Sequence, residues 1–349
     1  MRVLCFPAVV FEQGFVKLHE KQLPAGGDNR PSRGTTAQLK RRKSVFKNVM
    51  MYRLLSPWNQ TAAQVEDALE PARFVECAGS QEKSVGWVEP RGVAHGPLVE
   101  VVAGQWILKL MVEAKVLPAS VVKRRAQEQI AHIEATTGRK PGKKESREIQ
   151  EDARLSLLPL AFTKQGSVLV WIDPEAQLMV LDAGSQAKAD EVLSCLVKAI
   201  DGFAVKLIDT QVSPAAAMSQ WLAEKEAPAG FTVDRECELK ASDESKAVVR
   251  YTRHALDTDE VSEHIAQGKL PTRLAMTWND HVSFVLTEAL QLKKVAVLDT
   301  VFEAAAALSS DGKDDNFDGD VAIATGELQK LIPDLLEALG NEVEATPAV

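Results

Sequence analysis

The chain has 349 residues, of which 45% are hydrophobic and 26% are charged, and its formal net charge at neutral pH is −8. This length can bury a sizeable core and predicts two or three subdomains, and the composition is that of an ordinary soluble protein. The longest apolar runs are far too short to span a bilayer, which excludes membrane insertion through helical spans. The four cysteines lie singly, which predicts reduced thiols in a cytosolic protein.

Residues 1–44 differ from the remainder in charge. They hold nine Lys or Arg against three acidic residues, a net of +6, which leaves −14 for residues 45–349. The segment 25–36 has the Gly, Pro and Ser content of a linker, so we expect a disordered extension. The basic run from Lys40 to Lys43 could hold phosphate as a flexible arm, although an incidental charge run is favoured.

The alternation of apolar and polar residues that is typical of folded protein begins at Phe46. Alternating apolar residues predict strands over 48–54, 83–88, 98–102 and 105–112, separated by Gly and Pro turns. Between the first two, Thr61 is predicted to cap a short helix. Gly86-Trp87 could form a stacking platform for a ligand, but a tryptophan in a strand is more often part of the core.

A basic helical excursion follows from Pro118. Two helical patterns, the first with Val122 and Ala126 on one face, flank a turn over 138–144. Residues 115–154 hold ten Lys or Arg against six Asp or Glu, a net of +4 inside an acidic chain. Such a local excess is typical of a nucleic-acid contact confined to one surface, whereas charge alone favours a solvated hairpin with ion pairs. The basic candidates here are Lys123, Arg124, Arg125, Lys140, Lys143 and Lys144.

Pro159 is predicted to break the second helix and to present Phe162 before a strand over 168–173. Phe162 could be a core anchor or an aromatic residue at an interface, and the pattern does not choose between them. A strand over 178–182, a helix after Ser185, a strand over 203–208 and a helix from Ser213 follow.

The last third predicts a strand over 248–254 bearing Arg250, Arg253 and His254. Three further strands over 270–278, 281–287 and 290–298, a strand over 321–324 and a helix over 326–339 close the chain. The fold class is therefore α+β, with antiparallel sheets, flanking helices and the helical excursion.

Four regions are expected along the chain. The disordered extension covers residues 1–44, and a central α+β domain combines 45–117 with 164–226. The helical tip excursion is 118–163, and a C-terminal α+β base domain is 227–349.

Two acidic patterns suggest metal chemistry. Asp173 and Asp182 end neighbouring strands and could form the carboxylate pair of a metal-dependent nuclease, although turn-forming aspartates are common. Asp314-x-Asn316-x-Asp318-Gly319 matches the first half of a calcium loop, but Thr325 replaces its bidentate glutamate, so a solvated turn before a strand is favoured. No nucleotide-binding loop or hydrolase motif is present. We therefore expect no catalytic residues, no metal and no cofactor.

Several short motifs have the order and spacing of one bacterial family. They are Phe46-Lys-Asn-Val-Met-Met-Tyr-Arg-Leu54, Gly79-Ser-Gln81 with Gly86-Trp-Val88, Leu157-Leu-Pro-Leu-Ala-Phe162 leading to Trp171-Ile-Asp173, the segment 269–278, and Thr325-Gly-Glu-Leu328. Through these motifs the chain resembles the RdgC family of recombination-associated proteins over about residues 45–349. Family members usually begin just before the Phe-Lys-Asn motif, so Val45 resembles a GTG start and residues 1–44 are expected to be translated upstream sequence.

The resemblance implies a non-enzymatic, sequence-nonspecific DNA-binding protein that forms a ring-shaped homodimer around duplex DNA. Its expected role is to restrain RecA-type recombinase activity by occupying DNA. The implied partners are double-stranded DNA, with single-stranded DNA as an alternative, and a second copy of the chain, with no membrane. The implied location is the cytoplasm, in association with the nucleoid.

The resemblance also implies roles for particular residues. Phe162 corresponds to a phenylalanine at the tip of the family's excursion that helps to close the ring. Arg253 and His254 correspond to a basic Lys-Gln pair, and Leu160 departs from a position that is commonly basic. The alternatives are the metal-dependent nuclease and a protein-only regulator that acts on a recombinase without DNA.

Overall fold

A twelve-stranded sheet runs through the part of the chain that the computed structural model describes, residues 44–308 and 316–343. Its strands are β1 (Asn48–Leu54), β2 (Lys83–Val88), β3 (Val99–Val102), β4 (Gln105–Val116), β5 (Phe162–Asp173), β6 (Leu178–Asp182), β7 (Val205–Leu207), β8 (Phe231–Ala241), β9 (Val248–Thr252), β10 (Lys269–Trp278), β11 (Val282–Thr287) and β12 (Leu292–Val297). The helices of the same part are α1 (Ala62–Leu69), α2 (Ala119–Thr137), α3 (Lys143–Leu157), α4 (Gln186–Ala199), α5 (Pro214–Glu224), α6 (Asp259–Ala266), α7 (Asp299–Leu308) and α8 (Asn316–Ala338). The predicted disordered extension, residues 1–44, lies outside the described residues except for Ser44.

The strand order is β2-β4-β5-β6-β1-β12-β11-β10-β8-β9, with β3 beside β4 and β7 beside β1. The named strands pair antiparallel, which confirms the α+β class. The predicted sheets are joined into one because β1 pairs with β6 on one side and with β12 on the other, through Asn48↔Lys293 and Val49↔Leu292. The predicted division into domains stays a prediction.

The two faces of the sheet are covered differently. Val49 and Met51 on β1 belong to a core that α5, α6 and α8 cover. Met50 and Tyr52 point to the opposite face, since side chains alternate along a strand, and there α1 and α4 cover strands β1 to β6. Among the described residues, that second core includes none from β8 to β12. The helices of that core therefore leave the second face of the C-terminal strands uncovered, although Ala275 and Val285 on this face are buried by their neighbours.

The helices α2 and α3 form a hairpin between β4 and β5. They share a small core of Val122, Ala126, Ile149 and Ala153. β4 and β5 pair from Trp106↔Ile172 to Val116↔Phe162, so both strands extend further toward the hairpin than their apolar patterns predict. Phe162 is consequently the first residue of β5, not a residue before the strand.

Two predictions near the C-terminus are wrong. The expected strand over 321–324 lies inside α8, where Val321, Ala324 and Leu328 are buried at helical spacing. The hydroxyl of Thr325 donates to the carbonyl of Val321 at 2.8 Å, as a residue within a helix does. In the calcium-like motif Asp314 lies outside the described residues, and 316–319 begin α8 instead of forming a turn.

One strand, β8, was not predicted, although its apolar residues alternate. Phe231, Cys237 and Leu239 are buried on one face of it. Its polar residues are mostly charged, which masked the period of two.

Trp87 belongs to the core, so the stacking-platform interpretation of Gly86-Trp87 is wrong. Its side chain is fully buried. A Cβ on Gly86 would lie 2.4 Å from the Cα of Phe74, so this strand needs glycine for the close approach of the neighbouring backbone.

Candidate nucleic-acid interface

Three predicted cations lie in consecutive positions on the outer side of α2. Val122 and Ala126 are buried against α3, while Lys123, Arg124 and Arg125 are exposed. Successive residues of an α-helix are about 100° apart, so these three side chains spread around the exposed half of α2. They present positive charge over a broad surface instead of a single stripe.

The other three hairpin cations, Lys140, Lys143 and Lys144, are exposed at the tip. α2 ends at Gly138, whose φ of +68° allows the chain to turn, and α3 begins after Gly142. At about 1.5 Å per residue, the end of α2 lies roughly 20 Å from Arg124. The hairpin therefore has two basic groups, one near its base and one at its tip.

Ion pairs neutralise part of this charge. Four of the hairpin's cations have an acidic partner within 4.0 Å, in the pairs Arg125–Glu128, Arg139–Glu145, Lys144–Glu148 and Arg154–Glu82. Within the described part of the chain, no ion pair is formed by Lys123, Arg124, Lys140 or Lys143. The hairpin therefore has several ion pairs, as expected for a solvated hairpin, and it also has cations without an acidic partner among the described residues.

Lys143 and Lys144 also occupy an unfavourable place. They stand in the first turn of α3, where the helix dipole is positive and a cation costs about 0.3–1 kcal/mol. Glu145 in the same turn offsets part of this cost. Departures from a local stability rule are expected most often at functional or strained sites.

The C-terminal candidates lie at the sheet edge formed by β9. Arg250 is exposed on β9, and its Nε donates to Oε2 of Glu238 at 2.6 Å. Arg253 follows the strand with a φ of +57°, a left-handed conformation that costs a non-glycine residue about 1 kcal/mol or more. The ring of His254 lies 5.5 Å from that of Tyr251, and its Nδ1 contacts the carbonyl of Ala255 at 2.6 Å.

One chain does not bring the two predicted groups together. β5, which leads out of the hairpin, is third in the strand order, and β9 is tenth. Seven steps of about 4.8 Å separate them, a distance on the order of 30 Å. Any single ligand that touches both groups must be long, or must meet them on different subunits.

The structure adds basic residues that the sequence analysis missed. Residues that are directly opposite each other on paired strands point to the same face of the sheet. Such pairs cross the uncovered face of β1, β12, β11, β10, β8 and β9, and they are Asn48↔Lys293, Val285↔Lys293, Thr287↔Arg273, Arg273↔Glu238 and Glu238↔Arg250. We call this surface the open sheet face, and its charged residues are Glu236, Glu238, Arg250, Arg273, Lys293 and Lys294. These six side chains line a cleft of about 380 Å³.

The carboxylates of the open sheet face are paired. Glu238 accepts from Arg250 and also from the Thr272 hydroxyl at 2.9 Å. Desolvation tends to raise the pKa of Glu238, but the hydrogen bonds from Thr272 and Arg250 and the charge of Arg273 outweigh it, and the pKa lies below the ordinary value. Nζ of Lys294 donates to both oxygens of Glu236, at 2.8 and 2.9 Å. The face thus has four cations and two carboxylates, a net positive charge.

Phe162 is not a core anchor of its own chain, and its place at an interface stays a prediction. Its side chain is 87% exposed, although it belongs to β5. It also lies where the hairpin joins the sheet and not at the hairpin tip, which is the turn before Lys143. Its cross-strand partner Val116 and Leu160, two residues before it in the chain, are also exposed apolar residues. We call these three residues the apolar base patch.

Comparison with known proteins decides the family. The family model described as "Putative exonuclease, RdgC" matches residues 45–342. A protein of Dechloromonas aromatica named recombination-associated protein RdgC is 46% identical over 301 residues, which cover 85% of this chain and 98% of that protein. The chain belongs to the RdgC family. This confirms the resemblance that the sequence motifs indicated.

Other RdgC relatives give the same picture. The proteins with this name from Herminiimonas arsenicoxydans and from Janthinobacterium sp. are each 46% identical, over 85% and 86% of this chain and 98% and 99% of their own lengths. Within the described residues, no helix combines the length and the apolar character that a bilayer crossing requires. These relatives therefore agree with the family model in placing the chain in the RdgC family.

The two aspartates considered for a nuclease do not form a pair in this RdgC chain. Asp173 is opposite Leu178 at one end of β6 and Asp182 is at the other end, about 13 Å further along at the usual rise of a strand. Oδ1 of Asp173 accepts from the backbone N–H of Glu175 and Ala176. Both carboxylates therefore serve hydrogen bonds of the fold.

The remaining contacts of these carboxylates hold other segments. Oδ2 of Asp173 accepts from the Gln329 side chain on α8 at 2.7 Å, and Oδ1 of Asp182 accepts from the backbone N–H of Lys47 and Asn48. Over the described residues, no group of three or more His, Cys, Asp or Glu has the arrangement of a metal site. The predicted carboxylate pair is thus contradicted by the strand register.

Proposed function

We propose that this RdgC family member is a sequence-nonspecific DNA-binding protein that surrounds duplex DNA as a ring-shaped homodimer and restrains RecA-type recombination. The single observation that supports it best is that several exposed cations of the hairpin, Lys123, Arg124, Lys140 and Lys143 among them, form no ion pair with the described residues, in a chain whose net charge is −8. Cations held away from carboxylates attract phosphate, while the acidic remainder repels DNA. Binding is thereby confined to one side of the molecule.

The types of basic residue support backbone contact over base recognition. The hairpin and the open sheet face present lysines and arginines in several directions, whereas recognition of bases in a groove uses a few side chains aligned on one helix. Contacts to phosphate position a protein on DNA without reading its sequence. The protein should therefore bind unrelated duplexes with similar affinity, in the cytoplasm and at the nucleoid.

Two subunits are proposed because one chain separates its basic groups. The hairpin and β9 lie on the order of 30 Å apart across the sheet. The apolar base patch around Phe162 offers the kind of exposed aromatic anchor that protein interfaces use. If a second copy of the chain joined at this patch, the cations of the two chains would surround the DNA instead of lining one side of it.

The link to recombination comes from the relatives, which are named recombination-associated proteins. A protein that occupies DNA without reading sequence would compete with a recombinase for the same substrate. We propose this occupancy mechanism over direct contact with the recombinase. Inhibition that persists in a large excess of free DNA would favour the protein-only alternative.

A salt titration of DNA binding tests the proposal. The log of the affinity for a labelled duplex should fall linearly with the log of salt concentration, with a slope of about −0.9 for each phosphate neutralised. Lys123→Gln combined with Lys140→Gln should lower the affinity and reduce the slope by about two units. Affinity that is independent of salt would contradict phosphate-based binding.

The same reactions test the proposed absence of catalysis. We propose binding without cleavage, since Asp173 and Asp182 are engaged in hydrogen bonds at opposite ends of β6. Duplex incubated with the protein and Mg²⁺ or Mn²⁺ should be recovered intact on a denaturing gel. Metal-dependent shortening that disappears in Asp173→Asn would establish the nuclease alternative.

A further inference from the structure

The open sheet face holds two carboxylates among the cations that would face DNA. Glu238 is anchored by Thr272 and is mostly buried, with its side chain 15% exposed, whereas its partner Arg250 is 70% exposed. Glu238 is thus held in place by the fold, and Arg250 covers it on the side that faces solvent. Only Nε of Arg250 is engaged in the described contacts, so most of its five N–H donors remain available.

Glu236 and Lys294 repeat this arrangement on the same face. Their side chains are 45% and 67% exposed, and both oxygens of Glu236 accept from the same Nζ. Lys294 has a φ of +54°, at an irregularity in the pairing of β11 and β12, which is an unusual backbone for lysine. Arg273 and Lys293 form no ion pair among the described residues, so they leave the face net positive.

We propose that Glu236 and Glu238 are internal competitors for DNA phosphate: in the free protein each carboxylate occupies a cation of the open sheet face, and in the complex a phosphate oxygen takes its place. This inference rests on the proposed function, because it needs a DNA-bound state. It assigns the open sheet face as a second phosphate-contacting surface besides the hairpin. On this face two of the four cations, Arg250 and Lys294, are occupied by these carboxylates, and Arg273 and Lys293 form no ion pair among the described residues.

The energies make such an exchange feasible. The cations of both pairs are mostly exposed, at 70% for Arg250 and 67% for Lys294, and ion pairs of exposed cations contribute little to stability, so a phosphate can take the place of the carboxylate at small cost. The displaced Glu238 keeps its hydrogen bond from Thr272 and so does not have to leave the surface. The competition weakens binding at each contact and speeds dissociation, which suits a protein that must occupy DNA and still release it.

Charge-neutral substitutions test the competition. Glu236→Gln and Glu238→Gln each free one cation and keep the side-chain shape, and Gln can still accept from Thr272. Each variant should bind a labelled duplex about two- to fivefold more tightly, the range expected for one exposed ion pair. Each should also steepen the salt dependence by up to about one unit, because a displaced carboxylate takes up a cation from solution in the unaltered protein and a glutamine does not.

A matched control separates the local effect from net charge. Glu263→Gln makes the same charge change on α6, which packs in the core on the other face of the sheet, and it should leave affinity almost unchanged. Arg250→Gln and Arg273→Gln should weaken binding. The melting temperature of the Glu236→Gln variant should equal that of the unaltered protein, because the Glu236 side chain is partly exposed, and this comparison excludes a folding defect as the cause of a change in affinity.

The outcomes are distinct. If the hairpin variants weaken binding but Glu236→Gln, Glu238→Gln and Arg273→Gln have no effect, the open sheet face does not contact DNA and the inference fails while the proposed function stands. If Glu263→Gln tightens binding as much as Glu238→Gln, the effect is one of net charge and the inference also fails. If the unaltered protein does not bind DNA at all, the proposed function fails with it.

Discussion

At the scale of single residues, the base of the hairpin depends on a buried carboxylate. Glu113 on β4 is 3% exposed, its Oε2 accepts from the backbone N–H of Cys77, and its Oε1 accepts from the Gln165 side chain at 3.1 Å. The hydroxyl of Ser84 donates to the carbonyl of Val75 close by. These bonds join the segment before β2 to the β4–β5 pair on which the hairpin stands.

The hydrogen bond from Cys77, followed by those from side chains including Gln165, outweighs desolvation and lowers the pKa of Glu113 from its ordinary 4.5. A carboxylate with a lowered pKa stabilises the folded state above pH 4.5 and loses this contribution as the pH falls through the lower, folded-state value. Glu113→Gln should therefore lower the melting temperature at pH 7, and the difference from the unaltered protein should shrink toward pH 3. Circular-dichroism melts across this range measure it.

Glu134→Gln on α2 is the control, because Glu134 is exposed and its side chain makes no described hydrogen bond. It should leave the melting temperature unchanged at both ends of the range. A Glu113→Gln deficit that grows on acidification would show that the carboxylate is not the stabilising form.

At the scale of elements, α3 combines a stability defect with a candidate binding site. Its first turn holds Lys143 and Lys144 against the helix dipole, and its N-cap is Gly142, which provides no side-chain cap. The helix is held instead by Ile149 and Ala153, which pack on α2. The first turn of α3 is therefore less stable than a turn with a side-chain cap and without these two cations would be.

Replacing both lysines with glutamine should separate stability from binding. Lys143→Gln with Lys144→Gln should stabilise the protein by up to about 1 kcal/mol, because two cations leave the first turn. The same variant should bind duplex more weakly, and its salt dependence should be shallower by about two units. Chemical denaturation and binding titrations measure the two effects on one sample.

Lys188→Gln is the matched control, since Lys188 is exposed in the first turn of α4. It should give a similar relief of the dipole and no loss of DNA affinity. If the α3 variant binds DNA as well as the unaltered protein, Lys143 and Lys144 do not contact phosphate.

At the scale of the whole molecule, the proposed ring depends on a contact between two copies. Phe162 is 87% exposed, so its removal does not disturb the core of its own chain. Truncating a buried aromatic anchor at an interface typically costs 2 kcal/mol or more, about thirtyfold in a dissociation constant. The dimer should therefore be the property that Phe162→Ala changes first.

Phe162→Ala should shift the monomer–dimer equilibrium toward monomer in sedimentation experiments. It should also abolish a topological effect: after a salt challenge, the unaltered protein should persist on a closed circular plasmid and leave the same plasmid once it is linearised. Leu55→Ala, at a residue 54% exposed beyond β1, should change neither property. An unaltered dimer with intact retention on the circle would remove Phe162 from the interface.

Local patterns determined much of this protein. The bounds of β1, β2 and β6 follow from short apolar runs, and the hairpin helices follow from apolar residues at helical spacing and from Gly138 and Pro159. The exposure of Lys123, Arg124 and Arg125 follows too, because burying Val122 and Ala126 leaves their neighbours outside. These features depend on residues within one or two turns of each other.

Only the tertiary structure decided how distant strands meet. It placed β12 beside β1, brought Arg273 and Lys293 onto the face that bears Glu238 and Arg250, and put Asp173 and Asp182 at opposite ends of β6. The physical reason is that a strand's periodicity defines its two faces but not its neighbour or its register, which depend on packing between segments far apart in the chain. The cations of the hairpin were therefore found from sequence, and those of the open sheet face were not.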